Sequence, residues 1–258
     1  MVAVIGSRGP CLTTVFCSDD ALAYRRSRSP FPPGLGLALD DAYRLAHLPL
    51  VAPSHPRVIA AKPGAAYAMG RHPTAYSIVL PVPADALEAS PAFQALQDEL
   101  RAAPFGPKIA WQVLDRRRER LHATLCGGLG SEPPAAPPQA RAALTRLGPI
   151  AVELRGPFSG NVNQGRLYLR AYPERRAGVN LFHAEQQAVG RPVTDLYVVG
   201  IWNLVDDLDA AEASALAALV ARWWPRVVLR FAARDLWLLG ARDDLVLDGE
   251  VAARLSLE

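Results

Sequence analysis

Short apolar runs of strand length, interleaved with helical segments that carry their own start and stop signals, recur from Tyr76 to the end of the chain. That succession restricts the fold more than any single motif. "AYSIVLPV" reads as a strand, and Ser90-Pro91 opens the helix "SPAFQALQDELRAA", with proline in the first turn. "KIAWQVL" and "RLHATLCGG" read as two strands around the charged turn "DRRRE". The helix "PPQARAALTRLG" stops at Gly148, and "IAVELRGPF" and "GRLYLRAYP" return to strand. A helix through "GVNLFHAEQQAVG" leads to a buried strand in "TDLYVVGIWNLV" that ends near Leu204. Asp209 and Glu212 have the spacing of a capping box for the helix "AAEASALAALVARWW", and "RVVLRFAARDLWLLG" with "DLVLDGEVAARLSL" supplies the closing strands. The order predicts an α+β chain of two similar halves with mostly antiparallel sheet.

Residues 1–74 lack that pattern. They are rich in Pro, Gly and Ser, with one short helix expected around "LDDAYRLAHL", and read as an irregular, partly disordered extension ahead of a domain spanning 75–258. Met69 precedes the first convincing strand, which leaves open whether the extension is translated. The start of the chain is mildly apolar but lacks a basic n-region and is interrupted by Arg8, unlike a secretory leader. No apolar run approaches the roughly 20 residues of a membrane helix. Three cysteines, Cys11, Cys17 and Cys126, have no metal-ligand spacing and cannot all pair, as expected of a reduced cytoplasmic protein. A net charge of +3 is too small to argue for nucleic acid, and the preference for arginine over lysine (Lys62 and Lys108 alone) reflects GC-rich coding.

Within "ERLHATLCGGLG", strand alternation puts His122 and Thr124 on one face and Leu121, Ala123 and Leu125 on the other. A His-x-Thr pair on one strand face, after a charged turn and in this element order, resembles the two-histidine (2H) phosphoesterase superfamily, which includes the RNA 2′,3′-cyclic phosphodiesterases called 2′-5′ RNA ligases. The resemblance covers residues 75–258 and rests on "LHATL", on "GRLYLRAYP" after a Gly- and Pro-containing loop, and on the element order. It implies a bilobal fold in which one such motif from each lobe faces a central groove and holds a phosphate. It further implies His122 and Thr124 as catalytic residues, no cofactor or metal, and a phosphorylated nucleotide or RNA end as partner, with no membrane involved.

The resemblance places the second motif on the strand in "YVVGIWNLVDDL". Setting Leu204 against Leu125 puts Ile201 at the histidine position and Asn203 at the threonine position; setting Trp202 against His122 puts Leu204 there. Either register lacks the second histidine. Asn203 can donate a hydrogen bond to a phosphate oxygen but cannot transfer protons at neutral pH, and Trp202 could stack on a base. Turnover is therefore expected to suffer more than binding, with an inactive nucleotide- or RNA-end-binding relative or an interaction scaffold as the alternative.

Each remaining feature has a structural reading. His72 in "RHPTA" also begins a His-x-Thr, but Pro73 cannot donate to a central ladder and the segment precedes the first strand, so it reads as coincidence. His183 falls on a helical pattern, and His47 and His55 belong to the extension. "DRRRER" reads as a solvated turn, Asp206 and Asp207 as neighbours of a helix start, and Asp243 and Asp244 as a hairpin turn rather than metal ligands. The five tryptophans are expected mostly in the core.

Overall fold

The computed structural model describes residues 14–258. Cys11 and most of the apolar start of the chain therefore lie outside the described residues. Ten strands follow in order: β1 (Arg71–Pro81), β2 (His122–Cys126), β3 (Ile150–Ser159), β4 (Arg166–Pro173), β5 (Arg175–Arg176), β6 (Val179–Asn180), β7 (Val198–Asn203), β8 (Val227–Ala233), β9 (Asp235–Asp243) and β10 (Gly249–Ser256). Apart from the small β5–β6 hairpin they form one eight-stranded sheet, ordered β10-β9-β1-β2-β7-β4-β3-β8, in which every paired neighbour is antiparallel. The fold is α+β. Four strands lie on each side of the β2–β7 seam, which is registered by Ala123 opposite Val199.

Most helices begin where the sequence signals them. Among the described residues the first three are short: α1 (Tyr24–Ser27), α2 (Asp41–Ala46) and α3 (Leu48–Val51). After β1 come α4 (Ala84–Glu88), α5 (Pro91–Ala102) and α6 (Gln112–Arg117), then α7 (Pro138–Leu147), α8 (Leu181–Ala188) and α9 (Ala210–Trp223). The capping box of α9 is reciprocal: Asp209 Oδ1 accepts from the Glu212 amide at 2.9 Å, and Glu212 Oε2 from the Asp209 amide at 2.8 Å. Its buried stripe of Ala213, Leu216, Val220 and Trp223 has helical spacing and packs on β3. No helix among the described residues is long and apolar enough to cross a membrane.

Residues 112–117 are helical, not the strand that "KIAWQVL" suggests. Only Ile109 forms an isolated bridge, to Leu204, before the chain turns. Val113 and Arg117, four apart, then face inward on α6. The charged segment is spent internally: Arg118 pairs with Asp85, Glu88 and Glu119, and Arg120 reaches the carbonyls of Val246 and Leu247.

The extension is also more ordered than its composition suggests. Tyr24, Leu39, Tyr43 and Leu48 are fully buried in the main core. The Tyr24 hydroxyl lies 2.5 and 2.9 Å from the Ala171 and Tyr197 carbonyls, and Tyr43 donates to the Leu204 carbonyl at 2.7 Å. Asp19 reaches the fully buried Arg170 of β4 at 3.4 Å, whose guanidinium stacks 3.7 Å from the Trp224 ring centroid. Burying each large side chain contributes about 1.5–3 kcal/mol, so these few anchors fix a segment with little regular structure. The expected boundary at 74/75 falls inside β1, which begins at Arg71.

Candidate functional site

β2 alternates as its sequence requires. Ala123 and Leu125 are buried, His122 is half-buried and Thr124 is exposed. His122 and Thr124 open onto two adjoining hollows of about 240 and 180 Å³, which also share Arg166 and Asp244. His72, Ser77 and Asp243 line the first hollow, and Tyr168, Val198 and Gly200 the second.

The seam register identifies what β7 offers opposite the motif. With Ala123 across from Val199 in an antiparallel pair, His122 faces Gly200 and Thr124 faces Val198. Val198-Val199-Gly200 is therefore the stretch of β7 that lies beside His122-Ala123-Thr124. Neither sequence register anticipated this. Trp202 is 1% exposed and stacks on Phe93 with ring centroids 5.8 Å apart; Asn203 is 0% exposed, with no hydrogen bond from its side chain. Neither residue lines the hollows.

Arg166 fills the space that Gly200 leaves. A Cβ at position 200 would stand 2.3 Å from Arg166 Nε, so the guanidinium lies directly on the glycine. Its Nη1 donates to the Asp244 carbonyl at 3.0 Å, while Nε has no protein partner. Arg117 on α6, 1% exposed, donates from Nη1 to the Gly200 carbonyl at 2.7 Å. Gly165, at φ +126°, lets the chain enter β4 against Leu39, whose side chain a Cβ would meet at 2.4 Å.

His122 has one free nitrogen. Its Nδ1 lies 2.7 Å from the Arg120 carbonyl and so carries the proton, which leaves the Nε2 lone pair for the groove. Burial pushes the imidazole down to about 4, against the Arg120 bond and with help from the Arg117 and Arg166 charges. The ring is neutral at physiological pH and accepts protons rather than donating them. Thr124 adds a hydroxyl and Arg166 a cation, so the arrangement offers a base, a neutral donor and a guanidinium in one recess.

Opposite charge is present too. Asp243 is caged by the amides of Leu245, Leu247 and Asp248, the turn role expected of it. Asp244 lines both hollows; Tyr67 donates to its Oδ2 at 2.9 Å and His72 Nε2 lies 3.3 Å from its Oδ1. His72 thus lines the first hollow beside His122. Pro73 is tolerated because the β1–β9 register is interrupted between Arg71 and Ala75. His183 and His55 pair with Asp195 and Asp206, and neither lines the hollows. Among the described residues, no cluster of three or more His, Cys, Asp or Glu side chains could hold a metal ion.

No family model and no curated protein matches the chain. Among solved structures it is similar to the crystal structure of TT0787 of Thermus thermophilus, with 17% identity and a TM-score of 0.37. That alignment covers 71% of this chain and 97% of the other.

Proposed function

We propose that the groove binds a phosphoester and that the protein is a phosphodiesterase of the two-histidine type, acting on a cyclic or 2′-5′ phosphodiester of RNA or a nucleotide. One observation carries this reading: His122, with Nδ1 fixed and Nε2 free, shares an open recess with Thr124 and Arg166. In-line attack at phosphorus needs a base for the nucleophile, and a neutral imidazole is suited to that role. Thr124 and Arg166 donate to nonbridging oxygens, where charge accumulates in the transition state. Arginine is suited to the task by its planar, bidentate donor set.

The barren face of β7 favours a second reading, binding with weak or no turnover. Val198 and Gly200 carry no group that transfers a proton, and general acid–base assistance is worth about 10²–10⁴-fold in rate. Nucleoside 2′,3′-cyclic phosphates and a 2′-5′-linked dinucleotide separate the two. Product formation that depends on His122 supports the enzyme. Saturable binding without product, weakened in Thr124→Ala and Arg166→Gln, supports the binder. Absence of saturable binding to every such probe overturns both.

A further inference from the structure

His72 is held from two sides. Its Nδ1 lies 2.7 Å from the Pro73 carbonyl oxygen and its Nε2 3.3 Å from Asp244 Oδ1. Both neighbours are acceptors: the Pro73 carbonyl takes the Nδ1 proton, and the Asp244 carboxylate stands at ion-pair distance from Nε2, where a second ring proton would find a partner. The ring is 10% exposed and meets the Tyr67 ring edge-on at 5.3 Å, while Tyr67 donates its hydroxyl proton to the same carboxylate at 2.9 Å. His122 has the complementary arrangement, with one nitrogen free of protein partners and two guanidinium groups nearby. Two imidazoles in one cavity, one with a free nitrogen near two guanidinium groups and the other beside a carboxylate, stand in the unlike surroundings that an acid–base pair requires.

From this juxtaposition of His72, Asp244 and Tyr67 with His122 in one hollow, the geometry points to His72 as the general acid that protonates the leaving oxygen, with Asp244 and Tyr67 as positioning residues. The assignment rests on the phosphodiesterase reading above. It places the second proton-transfer group on β1, outside the strand symmetric to β2. Water attacks phosphorus and loses a proton to His122 Nε2. The phosphorus–oxygen bond to the ribose breaks, and the departing oxygen takes the Nε2 proton of His72. The product is a phosphate monoester and a free ribose hydroxyl, and the two rings return to their starting states by exchanging one proton with solvent. At 3.3 Å the His72–Asp244 contact is an ion-pair distance and not a formed hydrogen bond, so Nε2 is open to a leaving oxygen. The charged and titratable groups facing His72 are Asp244 after β9, Tyr67 before β1, and Asp243, Arg166 and His122 around the hollow.

Leaving-group dependence tests the role. A nucleoside 2′,3′-cyclic phosphate expels an alkoxide that needs a proton; the p-nitrophenyl ester of a deoxynucleoside 3′-phosphate expels a phenolate that does not. His72→Gln is expected to lose about 10²–10⁴-fold on the cyclic substrate and less than about tenfold on the aryl ester. His122→Gln is expected to lose both. Asp244→Asn and Tyr67→Phe are expected to show the His72 selectivity in weaker form, and Asp244→Asn carries the test should His72→Gln not fold. Should the native protein reject the aryl ester, the alkaline limb of the kcat/KM profile on the cyclic substrate replaces it, present in the native protein and absent in His72→Gln. Equal losses on both substrates, no loss on the cyclic one, or a retained alkaline limb overturn His72 as the acid and leave the phosphodiesterase reading standing. Undiminished activity in His122→Gln, or no hydrolysis by the native protein, overturns that reading and this assignment with it.

Discussion

Gly200→Ala is the smallest change that probes the seam between β2 and β7. The added methyl would stand 2.3 Å from Arg166 Nε, 2.4 Å from Nη2 and 2.6 Å from Cζ, well inside contact distance. The clashing atoms are the far end of a flexible side chain, so the guanidinium is expected to swing away while the backbone stays in place. Hydrogen bonds to charged groups contribute about 1.5–3 kcal/mol. At 1.4 kcal/mol per tenfold, losing the Arg166 contact weakens phosphate-ester affinity by about 10- to 150-fold. Calorimetric titration with a nucleoside 2′,3′-cyclic phosphate measures the loss, and thermal melting is expected to change little. A double-mutant cycle isolates the contact: with Arg166→Gln already present, Gly200→Ala should cost almost nothing further. Full additivity of the two losses, or native affinity in Gly200→Ala, would refute the placement of Arg166 on the phosphate.

Acid should destabilise the fold through its histidines. Between pH 6.5 and about 4 the unfolded chain protonates His122 while the folded chain does not, so stability falls as pH drops through that window and this group's contribution levels off below it. At about 1.4 kcal/mol per pH unit the loss is about 3.5 kcal/mol, and the fully buried His47, depressed in the same direction by burial, adds to it. Urea midpoints at pH 7 and 4.5 should converge in His122→Gln relative to the native protein; an unchanged pH dependence contradicts the assignment. Trp202→Ala should destabilise by about 3–5 kcal/mol while leaving cyclic-nucleotide affinity in the folded protein within about twofold, because the ring packs on Phe93 rather than in the groove. A large affinity loss would return Trp202 to the site.

Where local chemistry decides conformation, the sequence was a sufficient guide. The alternation of His122, Ala123, Thr124 and Leu125 fixed which side chains leave the core, and Asp209 with Glu212 fixed the start of α9. The register of β7 was not legible, because "VVGIW" is apolar throughout and carries no periodic mark of register. Only the pairing of Ala123 with Val199 shows that Val198 and Gly200, not Ile201 and Asn203, lie across from the motif. His72 was missed for a related reason. Pro73 argues against a regular ladder, and that argument is sound for an unbroken strand, but the pairing of β1 with β9 skips this stretch. The anchoring of the extension was not legible, because three tyrosine and arginine anchors, Tyr24, Tyr43 and the Asp19–Arg170 pair, act over long sequence separations that composition does not register.

The most direct test is hydrolysis of a nucleoside 2′,3′-cyclic phosphate by the native chain and by His122→Gln under single-turnover conditions at pH 7. Quantitative conversion to the monophosphate by the native protein, slowed by about 10²–10⁴-fold in the variant with the fold intact, is the predicted result. Equal rates in the two proteins would contradict the claim that the free nitrogen of His122 works at phosphorus.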